Sequence, residues 1–453
     1  MPTLPAQPLR RLRRVVVTGL GILSPLGVGL ATNWARLCAG EGGLAPHALL
    51  GVVAGVVPRG GGAAQWDPSA HVPRSETRTL GPDYIAFALG AAGEALGDAG
   101  LLPGARGPPA TGAALSAAGG VGPYSPLRVG VAVGCGVGGL EEVGNAATAL
   151  AGGAKLSPFF VPRVLLNMAA GGVALRFGLR GPNLAPGTAC ASGAHAIGEA
   201  ARAIACGAAD AMVAGGSEAA VGALSVAGFG RARALGAGGE GEGPFSARRS
   251  GFLLAEGAGC VVLESLEGAL ARRAPTIYGE VRGYGAGGDA FHATSPRADG
   301  SGAAACMVAA LREGGLSPEH VGYVNAHATG TPGGDGVEAA GIAATWAGAR
   351  VAVSSTKGAL GHLLGGAGAV EAVLTLQALR TGWLPATRGL AELDAELEPL
   401  SVEAGGPIEF LGRGGAAGAV RREGLRAALS NSFGFGGTNA SLLFARLPES
   451  DNV

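Results

Sequence analysis

The sequence has little of what marks several common classes of protein. Its 33 basic residues are matched by 33 acidic ones, so it lacks the net positive charge expected of a nucleic-acid-binding protein. Glycine, proline or charge interrupts each apolar run before it reaches about 18 residues, the length that a membrane-spanning helix needs. The six cysteines are scattered with no CxxC pair, which favours a reducing compartment. We therefore expect no nucleic-acid partner and no membrane insertion.

Common nucleotide and metal motifs are also missing. The chain has no GKS or GKT phosphate loop, and no two histidines have zinc-ligand spacing such as HExxH. Gly134, Gly136 and Gly139 form a G-x-G-x-x-G pattern after a predicted strand, but no acidic residue follows about 20 residues later to bind a ribose. In a glycine-rich chain such a pattern arises easily by chance. A nicotinamide-dependent oxidoreductase therefore stays an alternative, and it predicts NADH binding.

Glycine, in contrast, is abundant: 86 glycines and 27 prolines make up about a quarter of the 453 residues. Such a share is typical of low-complexity or disordered chains. However, 48% of the residues are hydrophobic and the charges balance, whereas disordered chains are poor in apolar residues and carry excess charge of one sign. The sequence therefore predicts folded domains, with solvated loops over 59–74 and 102–124.

Short β-branched runs alternate with helical stretches along the chain, which predicts βαβ units and an α/β fold. A buried strand over 14–18 is expected to lead into a glycine-rich turn. The apolar runs 252–254 and 260–263 predict an antiparallel hairpin. The alternation restarts after Pro275. The sequence therefore predicts two similar α/β halves that meet near this residue.

Cys190 is the cysteine that its surroundings single out. It lies in PGTACASGAHAIG, among small residues, and opens a helix predicted over 191–206. Backbone N–H groups and the positive end of the helix dipole favour a thiolate at such a position. Small neighbours allow a sharp turn to present the sulfur to a substrate. The other cysteines are expected to be buried as small hydrophobic residues.

Two histidines and a lysine are its candidate partners. His327, in YVNAHATGT, and His362, in GALGHLLGG, lie in small-residue loops after predicted strands, where α/β proteins bind ligands. Lys357 is one of only two lysines in the chain and precedes His362 by five residues. Glu371 follows on the next predicted helix. A functional lysine and a structural ion pair are both open readings, whereas His195 is expected to pack on its helix.

The motifs GTACASGAHAIG, NAHATGTPGGD, SSTKGALGHLLGGAGAVEA and NSFGFGGTN occur in this order. With them the chain resembles the β-ketoacyl-(acyl-carrier-protein) synthases of the KAS I/II type, in the thiolase-like superfamily, and most of all the mitochondrial ones. The resemblance implies a thiolase-like fold, with two pseudo-repeated α/β halves in a layered αβαβα arrangement, over 14–275 and 276–446. The first half would carry the nucleophilic cysteine and the second the two histidines.

The resemblance also implies an activity and its catalytic residues. The enzyme would hold an acyl chain on Cys190 and condense it with malonyl carrier protein in a decarboxylative Claisen reaction, which elongates fatty acids by two carbons without a cofactor. His327 and His362 match the paired catalytic histidines. Lys357 matches the lysine that supports the hydrogen-bond network of the site, and Glu371 matches its acidic partner.

Further positions match residues that bind the substrate. Phe435 matches a gatekeeper whose backbone N–H forms the oxyanion hole together with that of Cys190. Thr329 and Thr331 match residues that hydrogen-bond the pantetheine arm of the carrier. The positions that line the acyl pocket are Phe229 and Val137. Two departures from the family pattern, Ala191 and Gly330, replace small residues and leave the chemistry intact. A third, GPDYIAF at residue 81, puts the contact with the carrier at the entrance in doubt.

The expected partners are an acyl carrier protein with an acyl or malonyl phosphopantetheine arm and a second copy of the chain. An acidic carrier needs a local basic patch on a neutral protein, for which Arg231 and Arg233 are the candidates. The first 14 residues contain four arginines and no acidic residue, which suits a transit peptide. A mitochondrial location is expected, with a plastid or a bacterial cytoplasm as alternatives. A non-catalytic subunit of the same fold is a further alternative, but it would lack the nucleophile.

Overall fold

The computed structural model describes residues 12–102, 121–416 and 418–448. Most strands belong to one large sheet, and two short pairs lie outside it. The strands in chain order are β1 Val15–Ser24, β2 Gly27–Val28, β3 Leu44–Pro46, β4 Val53–Gly55, β5 Val129–Gly134, β6 Asn183–Leu184, β7 Ala211–Glu218, β8 Gly257–Ser265, β9 Gly279–Gly288, β10 Tyr323–Asn325, β11 Val351–Ser354, β12 Trp383–Leu384, β13 Ile408–Phe410, β14 Val420–Arg421, β15 Ala427–Gly434 and β16 Thr438–Ala445.

The helices occupy the connections between these strands. In chain order they are α1 Leu30–Cys38, α2 Thr77–Leu80, α3 Asp83–Asp98, α4 Leu140–Ala151, α5 Phe160–Val164, α6 Met168–Phe177, α7 Ser192–Ala205, α8 Ala223–Arg231, α9 Leu266–Ala271, α10 Ser301–Gly314, α11 Pro332–Thr345, α12 Lys357–Leu360 and α13 Ala367–Thr381. Within the described residues, none of them is long and apolar enough to cross a membrane.

The same strand order occurs twice in the large sheet. The first half runs β6-β5-β7-β8-β1, and the second runs β11-β10-β15-β16-β9 with β13 added at its edge. In each half the first three strands of this order pair in parallel. The third strand pairs antiparallel with the fourth, and the fourth pairs antiparallel with the fifth. The halves join where β1 pairs with β9, at Val16–Glu280 and Val17–Gly279. The division predicted near Pro275 falls between α9 and β9 and stays a prediction.

The helices form layers around the two sets of strands. Helix α3 packs on β1 and β8 on one outer face, and α10 packs on β9 and β16 on the other. Helices α7 and α13 lie between the halves and contact strands of both. These central helices begin just after the two segments that sequence analysis singled out, so the layering brings Cys190 and His362 to the same region.

Matching glycines allow each outer helix to approach its first strand. A Cβ on Gly19 of β1 would lie 2.1 Å from the carbonyl oxygen of Ala95 in α3. In the second half, a Cβ on Gly285 of β9 would lie 2.0 Å from the carbonyl oxygen of Cys306 in α10. No side chain fits at these distances. The glycine-rich run after residue 18, predicted as a turn, is therefore part of the strand.

Two further expectations for local structure are wrong. Residues 252–254 form isolated bridges rather than a strand, and β8 instead pairs with β7 and β1. The loop over 59–74 is not simply solvated, because Trp66 is 1% exposed and packs edge-on against Phe87 of α3. Side-chain burial of this kind leaves no periodic signal in a loop. Most of the loop predicted over 102–124 lies outside the described residues.

Candidate active site

The turn before α7 presents Cys190. The residue lies in a 3₁₀ turn, Ala189–Ala191, that runs directly into the helix. Ala189 has φ of 49°, a left-handed conformation that a residue with a Cβ adopts rarely and that marks a strained, sharp turn. Ser192 fixes the turn, since its Oγ lies 2.6 Å from the carbonyl oxygen of Ala189 and accepts from the Thr188 N–H at 2.9 Å.

His362 faces the thiol directly. Its Nε2 lies 3.0 Å from the Sγ of Cys190, within hydrogen-bond distance for sulfur. The imidazole is 2% exposed and packs edge-on against Phe252, with 5.2 Å between ring centroids. Its Nδ1 has no hydrogen-bond partner within the part of the chain that the structure describes. No hydrogen bond there holds the ring proton on Nδ1, so Nε2 is able to accept or to donate.

His327 completes the group, with its ring centroid 5.4 Å from that of His362 and the two planes nearly perpendicular. Lys357 Nζ lies 3.5 Å from His327 Nδ1 and forms an ion pair with Glu371. Both ion-pair partners are buried. Because an ammonium group only donates, it favours the tautomer of His327 whose proton is on Nε2. The functional and the structural reading of Lys357 therefore both find support.

Burial sets the protonation states of the site. Desolvation raises the pKa of the Cys190 thiol to about 12, an effect that Lys357 only partly opposes. The backbone N–H of Cys190 acts towards a thiolate, as the sequence predicts, but burial acts against it and is the largest cause of the shift. Burial, with the charge of Lys357, also holds the pKa values of His327 and His362 well below the usual range of histidine. The resting site thus contains a thiol and two neutral imidazoles.

A cavity of about 650 Å³ connects this group to the surface. It is lined by nearly every residue that the sequence proposed for the site, namely Cys190, His327, His362, Phe435, Thr329, Thr331, Phe229, Val137 and Arg233. Lys357 and Glu371 lie behind His327 rather than on the wall. Arg231 ends α8 and is exposed, as is Arg233.

The cavity wall has an apolar part and a part with hydroxyl groups, which match the roles predicted for an acyl pocket and for a pantetheine-binding passage. Around Cys190, the side chains of Val137 and Phe229 pack with Phe252 and Leu364 in an apolar cluster. Thr329 Oγ1 donates to Thr331 Oγ1 at 3.2 Å on another part of the wall. Apolar lining beside the thiol suits an acyl chain, whereas hydroxyls suit an amide-containing arm.

Three buried carboxylates that the sequence did not point to hold the loops of the site. Glu338 accepts from the N–H groups of His327 and Ala328 at 2.9 and 2.7 Å. Asp335 does the same for Thr329 and Gly330. Glu218 accepts from loops next to Cys190 and His362. Burial raises the pKa of Glu338 and of Glu218 to about 7. They act on backbone N–H groups, which no sequence motif reveals.

No cluster of three or more potential metal ligands occurs among the described residues. The catalytic candidates are thus a thiol and two imidazoles in a partly apolar cavity between two repeated α/β halves. Solved structures with the same architecture include ketosynthases. One is a β-ketoacyl synthase from Burkholderia phymatum, 31% identical, with a TM-score of 0.80 over 96% of this chain and all of the other. The fold and the site define a condensing enzyme of the thiolase-like fold.

The chain belongs to the β-ketoacyl synthase family. The N-terminal domain of that family matches residues 12–269, and its C-terminal domain matches residues 278–391. A mitochondrial 3-oxoacyl-(acyl-carrier-protein) synthase from Arabidopsis thaliana is 42% identical over 96% of this chain and 94% of its own. A 3-oxoacyl-(acyl-carrier-protein) synthase 2 from Vibrio cholerae is 43% identical over 96% and 99%. The chain is accordingly an acyltransferase, a β-ketoacyl-acyl-carrier-protein synthase of fatty acid elongation.

A further solved structure is a type II polyketide synthase acyl-carrier protein in complex with its ketosynthase. It is 26% identical to this chain, with a TM-score of 0.80 over 96% of this chain and all of the other. The sequence-based prediction of the family, the fold and the reaction is confirmed.

Proposed function

We propose that Cys190, His327 and His362 are the catalytic residues of the condensation, and that the acyl chain is carried on Cys190. The observation that supports this most directly is the distance of 3.0 Å between Cys190 Sγ and His362 Nε2, with His327 beside them. An intact nucleophile also argues against a non-catalytic subunit. The alternative of a nicotinamide oxidoreductase has no support in the family or in the site.

In the first half-reaction, the thiol of Cys190 attacks the thioester carbonyl carbon of an acyl group bound to its carrier protein. Its proton passes to His362 Nε2, so that the nucleophile is generated only when it is needed. The N–H groups of Cys190 and Phe435 are the proposed oxyanion hole. Gly434, the residue before Phe435, lies close to Cys190, because a Cβ on it would lie 3.2 Å from the Cys190 nitrogen. This short distance supports the pairing of the two N–H donors. Collapse of the tetrahedral intermediate releases the carrier thiol, which takes the proton from His362.

In the second half-reaction, malonyl carrier protein loses CO₂ and leaves an enolate. After the first half-reaction the ring proton of His362 is on Nδ1, and it must exchange to Nε2 through solvent. His327 and His362 then both donate hydrogen bonds from Nε2 to the enolate oxygen, where negative charge develops. Lys357 supports this step because it favours the Nε2–H tautomer of His327, and Glu371 holds Lys357 in place. The enolate carbon attacks the carbonyl carbon of the acyl thioester. The C–S bond to Cys190 breaks, the β-ketoacyl product stays on the carrier, and the Cys190 thiolate takes a proton from solvent. None of these steps requires a cofactor.

The substrates are proposed to arrive on an acyl carrier protein. The complex of a similar ketosynthase with its carrier supports this class of partner. Thr329 and Thr331 would hydrogen-bond the pantetheine arm, Phe435 would gate the passage, and Phe229 and Val137 would line the acyl pocket. Arg231 and Arg233 are the proposed contacts for the acidic carrier, since both are exposed and Arg233 lines the cavity.

The protein is further proposed to act as a homodimer in mitochondria. The short strand β6 forms one edge of the large sheet, and Leu184 on it is 39% exposed, which suits pairing with a second copy.

The relatives named as mitochondrial, from Arabidopsis thaliana and Schizosaccharomyces pombe, support the location. Sedimentation analysis and imaging of a C-terminal fluorescent fusion would test the two proposals. A monomer, or a signal outside mitochondria, would contradict them.

Incubation with a fatty acyl carrier protein and malonyl carrier protein tests the function. We expect a β-ketoacyl product two carbons longer and stoichiometric CO₂. The variant Cys190→Ala should form no product, because the acyl group has no acceptor, whereas Cys206→Ala should match the unchanged enzyme, since Cys206 is an exposed cysteine outside the cavity lining. Condensation that persists in Cys190→Ala would refute the proposal.

A further inference from the structure

Glu218 joins several turns around the active site. It is the last residue of β7 and is fully buried. Its carboxylate accepts from the N–H groups of three consecutive residues, Gly136 at 2.7 Å, Val137 at 3.2 Å and Gly138 at 2.8 Å. It also accepts from the N–H of Gly365 at 3.1 Å. Four backbone donors therefore converge on one side chain.

The first three donors form the acyl loop, defined as residues 136–138. Consecutive backbone N–H groups that point at one centre make an anion-binding nest, and here an internal carboxylate fills it. Val137 lines the cavity next to Cys190 and belongs to the same apolar cluster as Phe229. The position of the acyl loop therefore sets the shape of the cavity wall.

The fourth donor lies in the histidine turn, defined as residues 362–365, which begins with His362. Leu364 in this turn has φ of 47°, so its backbone is held in a left-handed conformation. The turn touches the acyl loop closely, because a Cβ on Gly365 would lie 2.1 Å from the nitrogen of Gly136 and 2.8 Å from Glu218 Oε2. Without a side chain at residue 365, the carboxylate reaches both segments at once.

The nucleophile is connected to the same structure through Ser192. The Ser192 Oγ, which braces the turn of Cys190, also lies 3.2 Å from the carbonyl oxygen of Cys135. Cys135 immediately precedes the acyl loop. The turn of Cys190 is thus braced from the residue before the acyl loop, whereas Val137 within the acyl loop lines the cavity wall.

The backbone donors are the main stabilisation of the Glu218 charge. Burial raises the pKa of its carboxyl to about 7, and the four N–H groups oppose this shift. Glutamine has the same size, but its NH₂ group only donates. In Glu218→Gln the amide nitrogen would face backbone donors, so part of the loop would lose its acceptor.

From these contacts we propose that Glu218 is a positioning residue that fixes the acyl loop against the histidine turn and so aligns long acyl chains with Cys190. The inference rests on the proposed function. A short acyl group remains close to the thiol, whereas a long one extends past Val137. Loosening the acyl loop therefore affects long primers more than short ones.

The test compares kcat and KM of full-length Glu218→Gln with butanoyl and dodecanoyl carrier protein as primers, at saturating malonyl carrier protein. We expect kcat/KM for the dodecanoyl primer to fall at least about tenfold more than for the butanoyl primer, since misplacement by about 1 Å costs up to about 10²-fold in rate. Glu218→Asp keeps the charge and the acceptors, and it should restore part of the activity with the long primer.

Glu94→Gln is the matched control. Glu94 also has a pKa raised to about 7 by burial and also accepts backbone N–H groups, those of Ile22 and Leu30, but it is not part of the cavity lining. Glu94→Gln should lower the thermal midpoint without changing the ratio of kcat/KM between the two primers.

An equal fall in kcat/KM for both primers in Glu218→Gln would overturn the inference. So would failure of both Glu218 variants to fold while Glu94→Gln folds. If the unchanged enzyme elongates neither primer, the proposed function itself fails.

Discussion

Lys357 forms a buried ion pair with Glu371 and at the same time lies 3.5 Å from Nδ1 of His327. Lys357 is 4% exposed and Glu371 is 2% exposed. Burial raises the pKa of the Glu371 carboxyl to about 7, and the ammonium group of Lys357 opposes that shift. One lysine thus pairs with a buried carboxylate and favours the tautomer of His327 that carries its proton on Nε2.

Replacing Lys357 by Met should reduce both stability and activity. Breaking a buried ion pair by removing one partner costs about 3–5 kcal/mol. Without Lys357, the Glu371 carboxyl should keep its proton in the folded chain to a higher pH, whereas the unfolded chain releases it near pH 4.3. The stability of the variant should therefore fall as the pH rises through the folded pKa. Urea unfolding of the variant and of the unchanged enzyme at pH 6 and pH 8.5 measures this. We expect the variant to lose more free energy of unfolding, relative to the unchanged enzyme, at pH 8.5.

The double variant Lys357→Met/Glu371→Leu separates the two roles of the lysine. Apolar residues of similar volume often replace a buried ion pair at no net cost in stability. We therefore expect stability to recover but condensation to stay low, because His327 still lacks a donor at Nδ1. Full recovery of condensation would contradict the tautomer role.

The thiol of Cys190 should react slowly at neutral pH. Because burial raises its pKa to about 12, the thiolate fraction keeps rising with pH well above pH 9. Alkylation by iodoacetamide, followed by mass spectrometry of the peptide that contains Cys190, should accelerate throughout this range. The peptide with the exposed Cys206 is the internal comparison. A plateau for Cys190 below pH 8 would instead support a thiolate favoured by the helix N-terminus.

The sequence points to the residues that meet in the cavity better than it predicts their environment. Cys190 and His362 are recognisable because small residues surround them in local motifs. Glu218 reads as the polar end of a buried strand, since its partners lie 80 to 147 positions away. The pKa of Cys190 depends on the same kind of information: the helix start is visible in the sequence, but the desolvation that raises the pKa depends on the folded packing.

The fold shows the same division between local and long-range information. The alternation of strands and helices predicts the α/β class. The β8 partners could not be inferred, because both β7 and β1 are distant in sequence. Glycines such as Gly19 predict a turn when read locally, whereas their actual role is to accept a helix across the sheet.

Gly285→Ala should be strongly destabilising. Its Cβ would lie 2.0 Å from the carbonyl oxygen of Cys306, a backbone atom that cannot move without shifting α10. Overpacking of this kind costs about 1–3 kcal/mol and sometimes more, and a contact with backbone places it at the upper end. Gly287→Ala on the same strand has nothing within 4 Å of the new Cβ, so it should change stability by less than about 0.5 kcal/mol. Equal unfolding midpoints for the two variants would refute the close-approach explanation.

Charge reversal of Arg231 and Arg233 should weaken the binding of the acyl carrier protein without affecting the chemical steps. Both side chains are exposed near the cavity, where they would attract an acidic carrier over about 30 Å at about 0.01 M ionic strength, but over only about 10 Å at about 0.1 M. We expect the double variant to Glu to raise KM for acyl carrier protein about tenfold at low salt, with kcat nearly unchanged. The difference should shrink as salt is added, since screening removes the attraction in the unchanged enzyme and the repulsion in the variant. Arg312→Glu, exposed on the outer helix α10, is the matched control and should leave KM unaltered. A KM that is unchanged in the double variant, or a rise of KM that does not depend on salt, would place the carrier contact elsewhere.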